Sequence, residues 1–333
     1  MQWKAAAAAV VPLLLWAVQS LAQPAGLEAF KRPAAVPFPE AAPYSREIAT
    51  LGKMLFFDPR LSGGQNISCS SCHNPSFGWE TPVPKAIGAA NKPVRRHAPT
   101  LLNAAWITPL FWDGRADSLE QQAIGPITAP DEMNATFDGI TARLTAVHEY
   151  NFWFERLFPG RGIRKETVLT ALATYQRTIV SGVASFDRWV SGDATAVPEA
   201  AKRGFALFNG RANCVSCHSG WMFTDNQLHD IGMQTTDLGG GGLTPADPDQ
   251  NYRFKTPGLR NIALRAPYMH DGSFTSLRDV VRHYAGGGAA GATRTPDIEG
   301  FAATEAEITD LIAFLQTLTD TETNVPTPIL PAN

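Results

Sequence analysis

All four cysteines of this chain fall in two copies of one string, Cys69-Ser70-Ser71-Cys72-His73 and Cys214-Val215-Ser216-Cys217-His218. No other feature constrains the fold as much. A CxxCH string is an attachment site for c-type haem. On one helical turn, Cys at i and i+3 point to one side and reach both vinyl groups of a porphyrin. The His that follows then lies beneath the iron as an axial ligand. Other readings of the cysteines explain less. Two CxxC pairs can build a zinc site, but these lie about 145 residues apart, against the usual ~15–20 between zinc knuckles. Disulfides or redox dithiols leave the His after each second Cys without a role. Two covalently attached c-type haems, one on Cys69, Cys72 and His73 and one on Cys214, Cys217 and His218, account for both strings in full.

A repeat surrounds the motifs. Gly52-x-x-Leu55-Phe56 precedes the first, and Gly204-x-x-Leu207-Phe208 precedes the second. Each lies in a run with apolar residues at helical spacing, such as Ile48, Leu51 and Leu55, which predicts helices over 46–57 and 198–208. Near the end, Thr304-x-x-Glu307 forms a capping box. It opens a helix whose inner side is Ile308, Leu311, Ile312, Leu315 and Leu318. Strand patterns are scarce, and Pro- and Gly-rich stretches fill 75–99, 237–248 and 286–296. The expected fold is all-α and loop-rich: two cytochrome c-like haem domains, 46–190 and 191–320, with the active site near their interface. An N-terminal extension (23–45) and a tail (321–333) flank them.

Composition narrows the partners. With 333 residues, 44% of them hydrophobic, the chain has enough apolar surface for a packed core. A net charge of −3 lacks the basic footprint that nucleic acid demands. The first 22 residues read as a secretory signal: Lys4, an apolar run from Ala5 to Val18, then the small residues Ser20 and Ala22 before a cleavage point. That run is shorter than the ~20 residues a membrane span requires. No Cys follows the cleavage point for lipid attachment, and no later segment is apolar enough for membrane insertion. The expected location is the periplasm, which suits c-type haem.

The longer motifs resemble those of the bacterial dihaem cytochrome c peroxidases and their relative MauG. The likeness runs from about Leu51 to Leu318 and rests on 51–58 (LGKMLFFD), both CxxCH strings, 98–103 (APTLLN), 111–115 (FWDGR), 130–133 (PDEM), 254–261 (FKTPGLRN) and 266–272 (APYMHDG). In that family the N-terminal haem handles peroxide and the C-terminal haem stores or relays electrons. The resemblance makes Glu132 the distal glutamate, which takes a proton from peroxide and returns it to the leaving oxygen. By itself Glu132 reads as an acid favoured at a helix N-terminus after Pro130. Gln122 and Pro126 match residues lining the same distal pocket, and Trp112 matches the oxidisable tryptophan between the haems. Trp106 matches nothing special and reads as core.

Axial ligands set the subtype. In reductively activated relatives a His in the loop after the first motif caps the peroxidatic iron. The matching segment, 86–91 (AIGAAN), has none, which implies an open, five-coordinate first haem. His97 reads as a loop histidine and takes the place of an Asn that helps bind an interhaem calcium. Calcium would then rest on the backbone carbonyls of Arg265 and Pro267. At the second haem, typical peroxidases supply a Met from the helix after the 266–272 string. MauG has Tyr there, and this chain has Tyr284. Independently, Leu277, Val280, Val281 and Tyr284 share one helical face and His283 points away, a pattern that also fits a core tyrosine with a hydrogen-bonded hydroxyl. Met269, Met222 and Met233 are the other candidates. An oxygen ligand favours higher oxidation states over a thioether. One departure stands out: MauG oxidises its protein partner through a Trp two residues before the second CxxCH, and here that residue is Ala212, with Trp221 as an alternative exit.

Three functions are compatible with these residues. The first is a MauG-like oxidoreductase that reacts with hydrogen peroxide at the N-terminal haem and oxidises a protein substrate. The second is a peroxidase that takes electrons from a small cytochrome or a cupredoxin. The third is a non-catalytic dihaem electron carrier, against which Glu132 and the missing capping His both weigh.

Overall fold

Helices form where the apolar period and the caps coincide. The structure, a computed structural model, describes residues 26–320 and 325–332. The expected export signal and its cleavage point at Ala22 lie outside the described residues. In chain order the helices are α1 (Arg46–Phe57), α2 (Cys69–Cys72), α3 (Leu119–Thr128), α4 (Phe137–Thr145), α5 (His148–Leu157), α6 (Lys165–Arg177), α7 (Ser185–Val190), α8 (Glu199–Asn209), α9 (Leu277–Ala285) and α10 (Glu305–Gln316). Ser45 caps α1 by accepting from the Ile48 N–H, and Pro198 stands at the N-cap of α8. The capping box at α10 forms as expected, with Thr304 Oγ1 accepting from Glu307 N and Glu307 accepting from Thr304 N. Among the described residues the sheet is minimal: β1 (Leu228–His229) pairs antiparallel with β2 (Phe254–Lys255).

Two helix crossings organise the molecule, α1 on α6 and α8 on α10. A glycine permits each one. A Cβ on Gly52 would lie 1.9 Å from the carbonyl oxygen of Ala171, and one on Gly204 would lie 2.0 Å from that of Asp310. The repeated Gly-x-x-Leu-Phe string is therefore a contact requirement, met once per domain. Around the first crossing, Leu51, Leu55 and Phe56 pack with Ile140, Tyr150, Phe154, Val168 and Leu172. Around the second, Phe186, Trp189, Phe205, Phe208, Phe223 and Phe314 form a network of edge-to-face and tilted aromatic pairs.

The chain ends tie the halves together. Leu27 and Phe30 pack into the second core, where Phe30 stacks on Phe223 at 5.0 Å. At the other end, Val325 and Leu330 pack against the first core, and Arg60 Nη2 donates to Pro331 O at 2.9 Å. Among the described residues no helix is long and apolar enough to cross a membrane.

A second repeat emerges from the backbone. Residues 98–119 and 256–277 follow the same course at a constant sequence offset. Both contain Pro-x-Leu-x-Asn, a cis-proline (Pro109 and Pro267), a positive φ two residues later (Phe111 and Met269), then Asp-Gly. Both close with a short bridge, Leu110 to Ala116 and Tyr268 to Phe274. Both then start a helix on a serine cap: Ser118 Oγ accepts from Gln121 N, and Ser276 Oγ accepts from Asp279 N.

Candidate active site

Each CxxCH string builds the same socket. In the first, α2 places Cys69 and Cys72 on one turn, and the His73 N–H donates to Cys69 O at 3.0 Å. In the second, a 3-10 turn over Cys214–Ser216 does the same, with His218 N donating to Cys214 O at 2.8 Å. His73 Nδ1 lies 3.2 Å from the carbonyl of Trp79, and His218 Nδ1 lies 2.9 Å from that of Phe223. Those carbonyls take the Nδ1 proton and leave the Nε2 lone pair for a metal. Burial pushes both imidazoles below the usual histidine range, which keeps them neutral, as an iron ligand must be. All four cysteines are free of disulfides. Paired thiols on one turn, one fixed imidazole and a largely apolar cavity are the donor set that c-type haem requires.

The first cavity is lined by Cys69, Cys72 and His73 together with Gln122, Pro126 and Glu132. Helix α3 supplies Gln122 and Pro126. Glu132 sits in the turn that follows, where its N–H donates to Ala129 O at 3.1 Å. Burial pushes the Glu132 carboxyl above the usual carboxylate range, Asp131 adds to this, and Arg115 opposes it. The 86–91 loop, which lacks the capping His, does not line this cavity. It braces Glu132 from behind: Ala89 N donates to Glu132 O at 2.8 Å, and a Cβ on Gly88 would lie 2.0 Å from Asp131 O.

The second cavity brings Tyr284 together with Cys214, Cys217 and His218. Leu277, Val280 and Val281 line it too, so the expected face of α9 is the one that meets it. The His283 ring points elsewhere, with Nε2 2.8 Å from Ile231 O. The Tyr284 phenol is enclosed apart from the surface it shows the cavity, and burial with the two neighbouring thiols pushes it above the usual phenol range. Only a cation at its oxygen would favour the phenolate. Of the three methionines, Met269 lines the cavity, and Met222 and Met233 do not.

Trp112 lines both cavities. Its indole N–H donates to His97 O at 2.9 Å, and its ring centroid lies 6.5 Å from that of His270. Two backbone bonds cross the domain interface reciprocally: His97 N donates to His270 O at 2.9 Å, and Lys255 N donates to Trp112 O at 2.7 Å. His97 and Lys255 hold equivalent places in the 98–119 and 256–277 repeat, just before its start, as Trp112 and His270 do within it. The wall between the cavities therefore lies at a pseudo-two-fold junction. His97 also touches both cavities, but Nδ1 is engaged by Val83 O and Pro84 O, and Nε2 faces Glu80 Oε2 at 3.4 Å. Trp221 stacks edge-on to a half-buried Trp106 at 4.9 Å, and neither ring lines either cavity. The guanidinium groups of Arg32 and Arg260 lie 5.4 and 5.7 Å from the Trp221 ring, which disfavours removal of an electron from it.

Sequence reasoning missed Glu80, Lys255, Arg115 and the Arg265 side chain, all of which face a cavity. The offset repeat of 98–119 and 256–277 was the signal that marks this junction.

Comparison with known proteins agrees with this geometry. Residues 46–195 match the family model described as di-haem cytochrome c peroxidase, and 201–319 match cytochrome c. The chain is 48% identical over 305 residues to the methylamine utilization protein MauG of Methylorubrum extorquens, covering 91% of this chain and 86% of that one. It is 34% identical over 327 residues to the cytochrome c551 peroxidase of Nitrosomonas europaea, covering 96% and 94%. Among solved structures, a MauG-like protein associated with microbial copper homeostasis superposes with a TM-score of 0.82 at 32% identity, covering 88% of this chain and 95% of that one. Two haem-binding sockets on two cytochrome c-like domains, and likeness along nearly the whole chain, place it in the dihaem cytochrome c peroxidase and MauG family, as an oxidoreductase that carries two c-type haems.

Proposed function

We propose that this protein is a MauG-like oxidoreductase of the periplasm that reduces hydrogen peroxide at the N-terminal haem and draws the electrons from a protein partner through the C-terminal one. The observation that carries this reading is the composition of the first cavity: Glu132, Gln122 and Pro126 line it together with the His73 socket, and the loop that caps the iron in gated relatives is turned to bracing Glu132.

Held by Cys69, Cys72 and His73, a haem would supply redox chemistry at its iron, a site for peroxide and a path for electrons. The protein does the rest. Glu132 takes the proton from the near oxygen and delivers it to the far one, which leaves as water. Two electrons and two protons balance the conversion of hydrogen peroxide to two waters. The raised affinity of Glu132 for a proton suits both halves of this task. Gln122 offers an amide to orient the oxygen that leaves. Trp112, which lines both cavities, would carry electrons between the haems, and Tyr284, which shares the second cavity with His218, would be a further ligand to the second iron.

One observation favours a second reading. Ala212 stands where MauG has the tryptophan that oxidises its partner, and two arginines flank Trp221. A peroxidase fed by a small cytochrome or cupredoxin needs no such exit. The test is to incubate the holoprotein with hydrogen peroxide and either a reduced small cytochrome or candidate protein substrates. Peroxide-dependent change in a partner's side chains supports the first reading. Steady turnover of the electron donor, with no partner modified, replaces it with the second.

A further inference from the structure

We propose that this chain dispenses with the interdomain calcium of its family, and that a buried cluster of Glu80, Arg265 and His97 ties the domains together at the electron bridge in its place. The resemblance assigns the calcium to the side chain of residue 97 and the backbone carbonyls of residues 265 and 267. The donor set here does not fit a hard cation, which takes about 6–8 oxygen ligands, carboxylates prominent among them. Residue 97 offers an imidazole whose Nδ1 is held 3.2 Å from Val83 O and 3.1 Å from Pro84 O. Residue 265 keeps its backbone carbonyl but brings a guanidinium, 4% exposed, whose positive charge opposes a cation nearby. Its Nη1 and Nη2 donate to Gly258 O at 3.1 and 3.0 Å, and Nη1 donates to Arg260 O at 2.9 Å.

Glu80 is the hub. Its Oε1 accepts the Thr100 N–H at 2.9 Å and lies 3.2 Å from Arg265 Nε, and its Oε2 lies 3.4 Å from His97 Nε2. Glu80, His97 and Thr100 belong to the N-terminal half and Arg265 to the C-terminal half, so the ion pair crosses the interface. The carboxylate already accepts the Thr100 N–H and is ion-paired with the Arg265 guanidinium, and His97 stands beside it, so it has little left for a metal. The arginine has a prepared seat: a Cβ on Gly78, which has a φ of +64°, would lie 2.7 Å from Arg265 Cγ. A second buried cation adds to the field. Burial and the charge of Arg265 push the Lys255 ammonium down to about 8. A divalent ion brought here would meet the same repulsion.

The cluster acts on the bridge through residue 97. The side chain of His97 is held by Glu80 and two carbonyls, its N–H by His270 O, and its own carbonyl takes the Trp112 indole N–H. Arg265 and Glu80 are thus positioning residues for Trp112.

The test uses the purified holoprotein. Calcium per chain is measured by elemental analysis, and melting and the electron paramagnetic resonance spectrum are recorded with excess EGTA and with added calcium. The expected result is far less than one calcium per chain and no shift in either readout. About one calcium per chain, with melting lowered by EGTA, overturns the proposal. Independently, Arg265→Gln is expected to slow electron exchange between the haems by up to about a hundredfold, the scale of loss from an ångström of misplacement, with Arg265→Lys partly restoring it. Unchanged exchange in a folded, fully haem-loaded Arg265→Gln protein overturns the positioning role.

Discussion

Replacing Glu132 with Gln tests the proposed chemistry at one proton. The substitution keeps size and polarity and removes only the ability to accept and return a proton. A positioned general acid–base group contributes about 10²–10⁴ in rate. At ~1.36 kcal/mol per decade, that is about 2.7–5.4 kcal/mol of barrier. The structure adds a pH signature. Burial and Asp131 raise the proton affinity of Glu132, so its basic form appears only above the usual carboxylate range. The wild-type rate should therefore climb with pH through a limb displaced upward. Arg115 lowers that affinity, so Arg115→Gln should move the limb further up, and Glu132→Gln should abolish it. The assay is stopped-flow mixing with hydrogen peroxide across the acid and neutral range, with haem content and resting spectra checked in each variant. A Glu132→Gln protein with unchanged peroxide kinetics and an unchanged limb refutes the assignment.

Other consequences follow from single contacts. Gly204→Ala places a Cβ 2.0 Å from Asp310 O, so the α8–α10 crossing must open, at a cost of about 1–3 kcal/mol. Thermal melting should fall by several degrees, whereas Gly291→Ala, with nothing within 4 Å of its Cβ, should stay within about 0.5 kcal/mol. Tyr284→Phe removes the phenol oxygen from the second cavity, and the low-spin resonance assigned to the second haem should shift or turn high-spin. An identical spectrum would give the ligand to another residue, Met269 first. Trp112→Phe keeps an aromatic ring but loses the indole bond to His97, so exchange between the haems should slow while each haem's own spectrum persists.

Much of this molecule was legible because its chemistry is local in sequence. The CxxCH strings state the sockets outright, the helix over 46–57 appears where periodicity put it, and the one expected over 198–208 runs one residue later, over Glu199–Asn209, with Pro198 as its cap. Gly52 and Gly204 were visible as a repeat, but the reason for them was not. That reason is a carbonyl of a helix more than a hundred residues away. Glu80 and Arg265 were illegible for the same cause. Each looks like a surface charge in a loop, and only the meeting of the two domains buries them as a pair. Nor did the sequence show that Leu27 and Phe30 pack into the second core while Leu330 reaches the first.

The offset repeat shows how one scaffold could support the two differently ligated irons proposed above. From the Pro-x-Leu-x-Asn string through the cis-proline to the serine cap, the two halves run alike, and α3 and α9 begin at equivalent places. Counting along those helices from Ser118 and Ser276, Tyr284 falls where Pro126 stands in the first half. Both residues line their respective cavities. The same helical position thus presents a phenol to one haem and a ring with no donor atom to the other. On the proposed reading the first site would be open for two reasons: the 86–91 loop carries no His, and the position proposed to cap the second iron is filled by proline. Pro126→Tyr should therefore make the first site resemble the second. The high-spin resonance of the resting protein should give way to a second low-spin one, and peroxide reactivity should fall even though Glu132 remains. Should Pro126→Tyr stay high-spin and reactive, the equivalence of the two helices would extend to the backbone alone, and Tyr284 would owe its reach to the local geometry of α9.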